Sequence, residues 1–217
     1  MTIQTKISAS VLTADLSRLA EAVAAVESAG VDMLHIDVMD GIFVPPLTIG
    51  NAVVKSLRDK SPLIFDAHLM VVKPQRLIPL FAEAGSDMIS IHVESDCDVP
   101  QVLRQIRDLG KKAGVAVNPT TPIESVFDCI GSADLFVIMS VEPGYGGQAF
   151  IPESLDKIKA LREESRRRGI DVTIQVDGGI NDKTAPNAVK AGADILVSGA
   201  YLFNSPDMAE SVRKLRD

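Results

Sequence analysis

The sequence is short of several residue types that usually mark a special chemistry. Its 217 residues include no tryptophan, two tyrosines, two cysteines and three histidines. Cys97 and Cys129 stand in unrelated contexts and no Cys-x-x-Cys pair exists. A disulfide framework is therefore excluded, and reduced structural thiols are expected. No run approaches the roughly 18 apolar residues of a membrane span. Met1 to Lys6 is polar and lacks the apolar segment of a secretory signal. Positive charge is also scarce, with 22 Lys and Arg against 29 Asp and Glu and a net charge of −7. That argues against a general nucleic-acid surface, which needs clustered positive charge. The one basic run, Arg166 to Arg168, follows Glu163 and Glu164 at an expected helix end, where it complements the helix dipole. These absences lead to the expectation of a cytoplasmic globular protein with no nucleic-acid and no membrane partner. Its 46% hydrophobic and 24% charged residues are ordinary for that class.

What the sequence does contain is a recurring connection. Ala29-Gly30-Val31-Asp32 precedes the apolar run 33–38, and Ala84-Gly85-Ser86-Asp87 precedes 88–93. Gly131-Ser132-Ala133-Asp134, Gly169-Ile170-Asp171 and Ala191-Gly192-Ala193-Asp194 stand before similar runs. Each reads as a helix end, a left-handed glycine and the start of a short buried strand. Strands rich in Val and Ile without strict alternation indicate parallel strands covered on both faces. Eight strands are expected, near 6–12, 33–38, 63–69, 87–93, 114–118, 134–140, 172–177 and 194–199. Helical spacing appears between them, in Ser17 to Ser28 and in Leu155 to Arg168. Eight units in 217 residues is about 27 residues each, compact for a (β/α)₈ TIM barrel. A doubly wound open sheet uses the same units, so periodicity alone leaves both folds open. With no linker and no change of composition, one domain over 1–217 is expected.

In a barrel the working residues sit where strands end. All three histidines fall in such places: His35 with Asp37 on strand two, His68 after Asp66 on strand three, and His92 with Glu94 on strand four. Strand one ends near Ser10, strand five at Asn118, strand seven at Asp177 and strand eight at Gly199. His35 and Asp37 are two residues apart, so they share a face. His35, Asp37, His68 and Asp177 together suit one borderline divalent ion, zinc foremost, with iron(II), manganese or cobalt compatible. Buried carboxylates need a partner, and a metal supplies one. His92 and Glu94 read as supporting or structural. Three glycine-rich turns follow the last three strands: Gly144, Tyr145, Gly146 and Gly147; then Gly178 and Gly179; then Gly199 and Ala200. Together they can present backbone N–H groups to one phosphate. Met39, Met70 and Met139 sit at or just past strand ends, either as adaptable filler or as an apolar lining over a reactive intermediate.

These residues fall within longer motifs that resemble the ribulose-phosphate 3-epimerase family over essentially the whole chain. The matching segments are Ile7 to Leu12, His35 to Gly41 with Phe43-Val44-Pro45, and His68 to Val71. Asn118-Pro119 before Thr121-Pro122, Met139 to Phe150, and Val176 to Gly179 complete them. The resemblance implies a barrel that interconverts D-ribulose 5-phosphate and D-xylulose 5-phosphate in the pentose phosphate pathway. It also implies a homo-oligomer. By position, His35, Asp37, His68 and Asp177 correspond to the family's metal ligands, and Asp37 and Asp177 to its acid/base pair. Ser10 and His68 correspond to substrate contacts, and Gly144 to Gly147, Gly178, Gly179, Gly199 and Ala200 to the phosphate site. Ala9, Pro46, Tyr145 and Ala200 depart from the family's frequent residues.

The implied chemistry removes a proton from one face of carbon 3 and returns one to the other, through an enediolate that the metal stabilises. Three rivals use the same residues. One is a sister epimerase of a six-carbon ketose phosphate such as D-allulose 6-phosphate. Another is a barrel lyase that stabilises an enediolate after decarboxylation. The last is a phosphosugar-binding barrel without catalysis, which would need only the glycine turns.

Overall fold

The computed structural model describes residues 5–217, so Met1 to Gln4, within the polar N-terminal stretch, lie outside it. Eight parallel strands close into a barrel in chain order. They are β1 (Lys6–Ser10), β2 (Met33–Met39), β3 (Ile64–Met70), β4 (Met88–His92), β5 (Lys112–Val117), β6 (Leu135–Met139), β7 (Thr173–Asp177) and β8 (Ile195–Ser198). Closure comes from β8 pairing with β1, from Ile195 opposite Lys6 to Ser198 opposite Ala9. The open sheet is thereby excluded. Around the barrel run α1 (Leu19–Ser28), α2 (Asn51–Arg58), α3 (Ile78–Glu83), α4 (Val99–Asp108), α5 (Ser154–Arg168), α6 (Ala185–Ala191), α7 (Ala200–Phe203) and α8 (Met208–Arg216). Between β5 and β6 the chain forms a 3₁₀ turn over Ile123–Cys129.

The expected elements are present, with shifted ends. β1 stops at Ser10 rather than at residue 12, because the Ser10 side chain accepts from the Leu12 N–H and Val11–Thr13 winds into a 3₁₀ turn. α1 begins at Leu19, after a 3₁₀ turn at Leu16–Arg18 that Asp15 caps from Ser17. Arg166, Arg167 and Arg168 form the last turn of α5, and Glu164 binds two of them.

Alternation along the strands divides the apolar residues into two cores. Outward residues such as Ile7, Leu34, Ile36, Phe65, Ile89, Phe136, Ile174 and Leu196 pack beneath the helices. A fully buried Ile or Phe contributes about 1.5–3 kcal/mol, so this outer layer dominates stability. Inside the barrel, Met33, Leu135 and Ile195, with Met88 against them, plug the end where the strands begin. Above that plug the interior is largely polar, with Ser8, His35, Asp66, His68, Ser90, His92 and Gln175 all buried beside an apolar wall of Ala116, Val137 and Met139. The outer core frees the interior for chemistry.

The aspartates of the recurring connection have a shared structural task. Asp32, Asp87, Asp134 and Asp194 stand just before β2, β4, β6 and β8. Their side chains accept the backbone N–H of Ile7, Phe65, Ala113 and Ile174 at 2.8–3.0 Å. In return their own N–H groups donate to the carbonyls of those same four residues. Each even strand is therefore clamped to the odd strand before it. A cation completes each clamp: Arg216, Arg58, Lys112 and Arg162 in turn. The fifth aspartate, Asp171, precedes an odd strand, and its side chain is 94% exposed.

This contrast yields a stability test. Asp194→Ala leaves the Ile174 N–H without its acceptor and should cost about 1–3 kcal/mol. Asp171→Ala, from the same sequence pattern, should stay within about 0.5 kcal/mol of the parent. Urea unfolding of both variants measures the difference, and equal losses would refute the clamp.

Candidate active site and metal centre

The polar interior is built by residues two apart on neighbouring and facing strands. β2 supplies His35 and Asp37, β3 supplies Asp66 and His68, and β7 supplies Gln175 and Asp177. One ligand atom from each of His35, Asp37, His68 and Asp177 lies within 4.8 Å of the other three. His35 Nε2 is 3.4 Å from Asp37 Oδ1, 3.4 Å from Asp177 Oδ2 and 3.2 Å from His68 Nδ1. His68 Nδ1 is 3.7 Å from Asp37 and 3.5 Å from Asp177. The four residues singled out in the sequence thus converge on one point. His35 is third of seven residues in β2, so its place is mid-strand rather than at the end.

The protons around this point decide what it can hold. His35 Nδ1 faces Asp66 Oδ2 at 2.8 Å, so that nitrogen carries a hydrogen, and Nε2 is bare whenever the ring is neutral. His68 Nε2 lies 2.8 Å from His92 Nε2, on the side away from the cluster. With both rings neutral, two imidazole nitrogens and two carboxylate oxygens then converge with at most one hydrogen between them. Such a set repels itself until positive charge enters, and two nitrogens with two oxygens fit a borderline divalent cation. The titration behaviour agrees. Burial opposes charge on His35, yet the Asp37, Asp177 and Asp66 carboxylates raise its pKa well above the usual value. Burial likewise opposes ionisation of Asp37 and Asp177, but His35 and His68 hold both below the ordinary carboxylate range. A proton on His35 and a divalent cation compete for the same place.

Supporting contacts surround the four. Ser10 Oγ donates to Asp37 Oδ2 at 2.7 Å. Gln175 Nε2 donates to Asp66 Oδ2 at 2.8 Å. Asp66 and Gln175 have no assigned role in the sequence reading. The available signal was their position two residues before His68 and Asp177, on the same strand faces. His92 Nδ1 lies 3.1 Å from Glu94 Oε2, so this pair backs His68.

Above the cluster opens a cavity of about 320 Å³. Asp37 and Asp177 reach its floor with Ser10, while His35 and His68 lie beneath it with no exposure. Met39, Met70 and Met139 line it although each is almost fully buried, which favours the lining role over mere filler. Gly144, Tyr145, Gly146, Gly147, Gly178, Gly179, Gly199 and Ala200 all border the same cavity. At Gly179, with φ +64°, a β-carbon would stand 2.5 Å from the Phe150 backbone nitrogen, so only glycine fits. Tyr145 is 60% exposed at the rim. Gln148 Nε2 ties its loop to the carbonyls of Glu142 and Tyr145.

Comparison with known proteins gives four findings. Residues 6–203 match the model of the ribulose-phosphate 3 epimerase family. The chain is 46% identical over 210 residues to ribulose-phosphate 3-epimerase of Synechocystis, covering 96% of this chain and 91% of that protein. It is 41% identical over 212 residues to ribulose-phosphate 3-epimerase of Bacillus subtilis, covering 97% and 98%. In fold it is similar to 3-keto-L-gulonate-6-phosphate decarboxylase from Vibrio cholerae, with a TM-score of 0.73, 16% identity and coverage of 98% and 96%.

The buried histidine behind His68 offers a test of the electrostatics. Burial, aided by His68 and opposed by Glu94, pushes His92 down to about 4 from an ordinary 6.5. In the metal-free protein this group's stability contribution is therefore complete above about pH 6.5 and declines as pH falls toward about 4. His92→Gln should remove that part of the decline. Urea unfolding of both proteins across this range measures it, and parallel profiles would contradict the shift.

Proposed function

The chain belongs to the ribulose-phosphate 3-epimerase family, and from that membership we infer that it interconverts D-ribulose 5-phosphate and D-xylulose 5-phosphate in the pentose phosphate pathway. The observation that carries the mechanism is the pair Asp37 and Asp177. They come from β2 and β7, flank the cavity floor, and belong to a group whose ligand atoms lie within 4.8 Å of one another. One carboxylate takes the proton from carbon 3, and the carbon–hydrogen electron pair moves into the bond with the ketone carbon. The other, as carboxylic acid, delivers a proton to the opposite face, and the two exchange roles when the reaction runs backward. Their closeness gives the proton a short path back between turnovers. His35 and His68, with the two carboxylates, would hold the divalent ion, and zinc suits the donors best. Such an ion supplies positive charge to the ketone and hydroxyl oxygens, worth several kcal/mol as negative charge develops there.

The remaining residues of the cavity bind and shield. Ser10 orients Asp37 through its 2.7 Å hydrogen bond and stands where substrate would meet it. The backbone N–H groups of Gly144 to Gly147, Gly178, Gly179, Gly199 and Ala200 suit the phosphate, and Ala200 opens α7. Loss of side-chain donation at Ala200 leaves those backbone donors in place. Met39, Met70 and Met139 exclude water above the reacting carbon. Both cysteines are free thiols, which supports a reducing compartment and so a cytoplasmic location. No helix among the described residues is long and apolar enough to cross a membrane. Ile42 and Leu47 are 78% and 77% exposed, which supports association of copies into a homo-oligomer.

The test is proton NMR of D-ribulose 5-phosphate incubated with the protein in D₂O, with and without prior chelation. Deuterium should enter at carbon 3 as D-xylulose 5-phosphate forms, and chelation should abolish both. Asp37→Asn should lower turnover roughly 10²–10⁴-fold while inorganic phosphate still binds. Near-normal turnover in that variant would end the two-carboxylate scheme. Absence of exchange with metal present, but turnover of D-allulose 6-phosphate, would establish the six-carbon reading instead.

A further inference from the structure

His92 and Glu94 take no direct part in the chemistry above, yet they form a continuous chain behind one proposed metal ligand. His68 Nε2 lies 2.8 Å from His92 Nε2. His92 Nδ1 lies 3.1 Å from Glu94 Oε2. Glu94 Oε1 accepts the backbone N–H of Asn118 at 2.8 Å. The Asn118 donor is itself held in place, because Lys157 Nζ donates to the carbonyls of Asn118 and Thr121. Phe43 packs on the His92 ring with centroids 4.9 Å apart, and the His68 and His92 rings lie edge to edge and nearly coplanar, at 16°. Neither ring is free to turn away.

We propose that Glu94 is a positioning residue for the metal centre, fixing through His92 the tautomer in which His68 turns a bare Nδ1 toward Asp37 and Asp177. The inference rests on the metal reading of those residues. Its logic is a count of protons. The short contact between the two Nε2 atoms accommodates one hydrogen. If His92 supplied it, the bare His92 Nδ1 would face the Glu94 carboxylate, an acceptor against an acceptor. Glu94 therefore keeps the hydrogen of His92 on Nδ1, His92 Nε2 is bare, and His68 must donate from its own Nε2. That leaves His68 Nδ1 as a lone pair where the ligands converge. A carboxylate is required because both oxygens accept, one from His92 and one from Asn118. The backbone donor at Asn118 cannot reverse, but an imidazole tautomer can.

Glu94→Gln has the same shape and one acceptor fewer. Its oxygen satisfies Asn118, its amide N–H₂ faces His92 Nδ1, and the chain reverses until a hydrogen occupies the ligand side of His68. The outer carboxylate partners of metal-bound histidines typically govern about 10–100-fold in metal affinity, and a loss of that size is expected here for zinc measured by chelator competition. In a His92→Phe background, where no hydrogen-bonding group joins residue 94 to His68, Glu94→Gln should cost nothing further. Long-range ¹H–¹⁵N spectra of the zinc-loaded parent should show His92 protonated at Nδ1 and His68 at Nε2, a readout independent of how any variant folds. His92 protonated at Nε2 in the parent would overturn the proposal, as would parental zinc affinity in Glu94→Gln. An equal loss in the His92→Phe background would assign the effect to charge and overturn it too. A parent that binds no zinc at the four ligands would instead refute the metal reading on which the proposal stands.

Discussion

The arrangement depends on one electrostatic constraint: two carboxylates and two imidazole nitrogens are held within 4.8 Å of one another, almost wholly buried beneath the cavity. Taking even one such charge from water is expensive, and bringing two together compounds the cost. The constraint is relieved only by positive charge at the centre. It also dictates the surroundings. Each imidazole must keep its hydrogen on the outward nitrogen, so each needs an acceptor behind it. Asp66 serves His35 directly, and His92 serves His68 with Glu94 behind it. A carboxylate stands behind each ring, at one remove for His68. The fully buried polar residues of the barrel are largely a consequence of that requirement.

Such a cluster demands a rigid frame, since an error of an ångström among like charges would scatter them. The frame is assembled on the other side of the strands. Outward Ile, Leu, Val and Phe residues lock the barrel to its helices, and the four aspartate clamps fix each even strand against its odd neighbour where the strands begin. The apolar plug of Met33, Leu135 and Ile195 closes that same end. Stability is concentrated at one end and in the outer layer, and reactive groups are concentrated at the other end. This separation lets the barrel tolerate the cost of its polar interior.

Much of this was legible from sequence because strand geometry is simple. Residues two apart share a face, so His35 with Asp37 could be recognised as a pair before any coordinates. The connection signals marked five strands, and filling the gaps between them placed all eight nearly where they lie. What stayed hidden depends on which strands become neighbours. Asp32, Asp87, Asp134, Asp171 and Asp194 look alike in sequence, yet four directly precede their strands and act as clamps, while Asp171 stands two residues before β7 and is exposed beside Arg162. Asp66 and Gln175 went unassigned for a related reason. They come from β3 and β7, and closure of the barrel is what brings them together behind His35. The boundary at Ser10 was missed because a single side-chain hydrogen bond redirects the chain.

The departures from the family pattern can be weighed by where they fall. Ala9 is fully buried in the outer core, facing away from the cavity, so it bears on packing rather than on chemistry. Pro46, Tyr145 and Ala200 all lie beyond strand ends. Tyr145 and Ala200 border the cavity, and Pro46 Cδ would lie 3.7 Å from a β-carbon placed on Gly144. None touches the four convergent ligands. A change in substrate length would therefore act through these loops at the cavity rim and would leave the convergent residues on the strands alone. The same division explains how a barrel of this shape serves a decarboxylase at 16% identity: strands set positions, and the residues placed on them set the reaction.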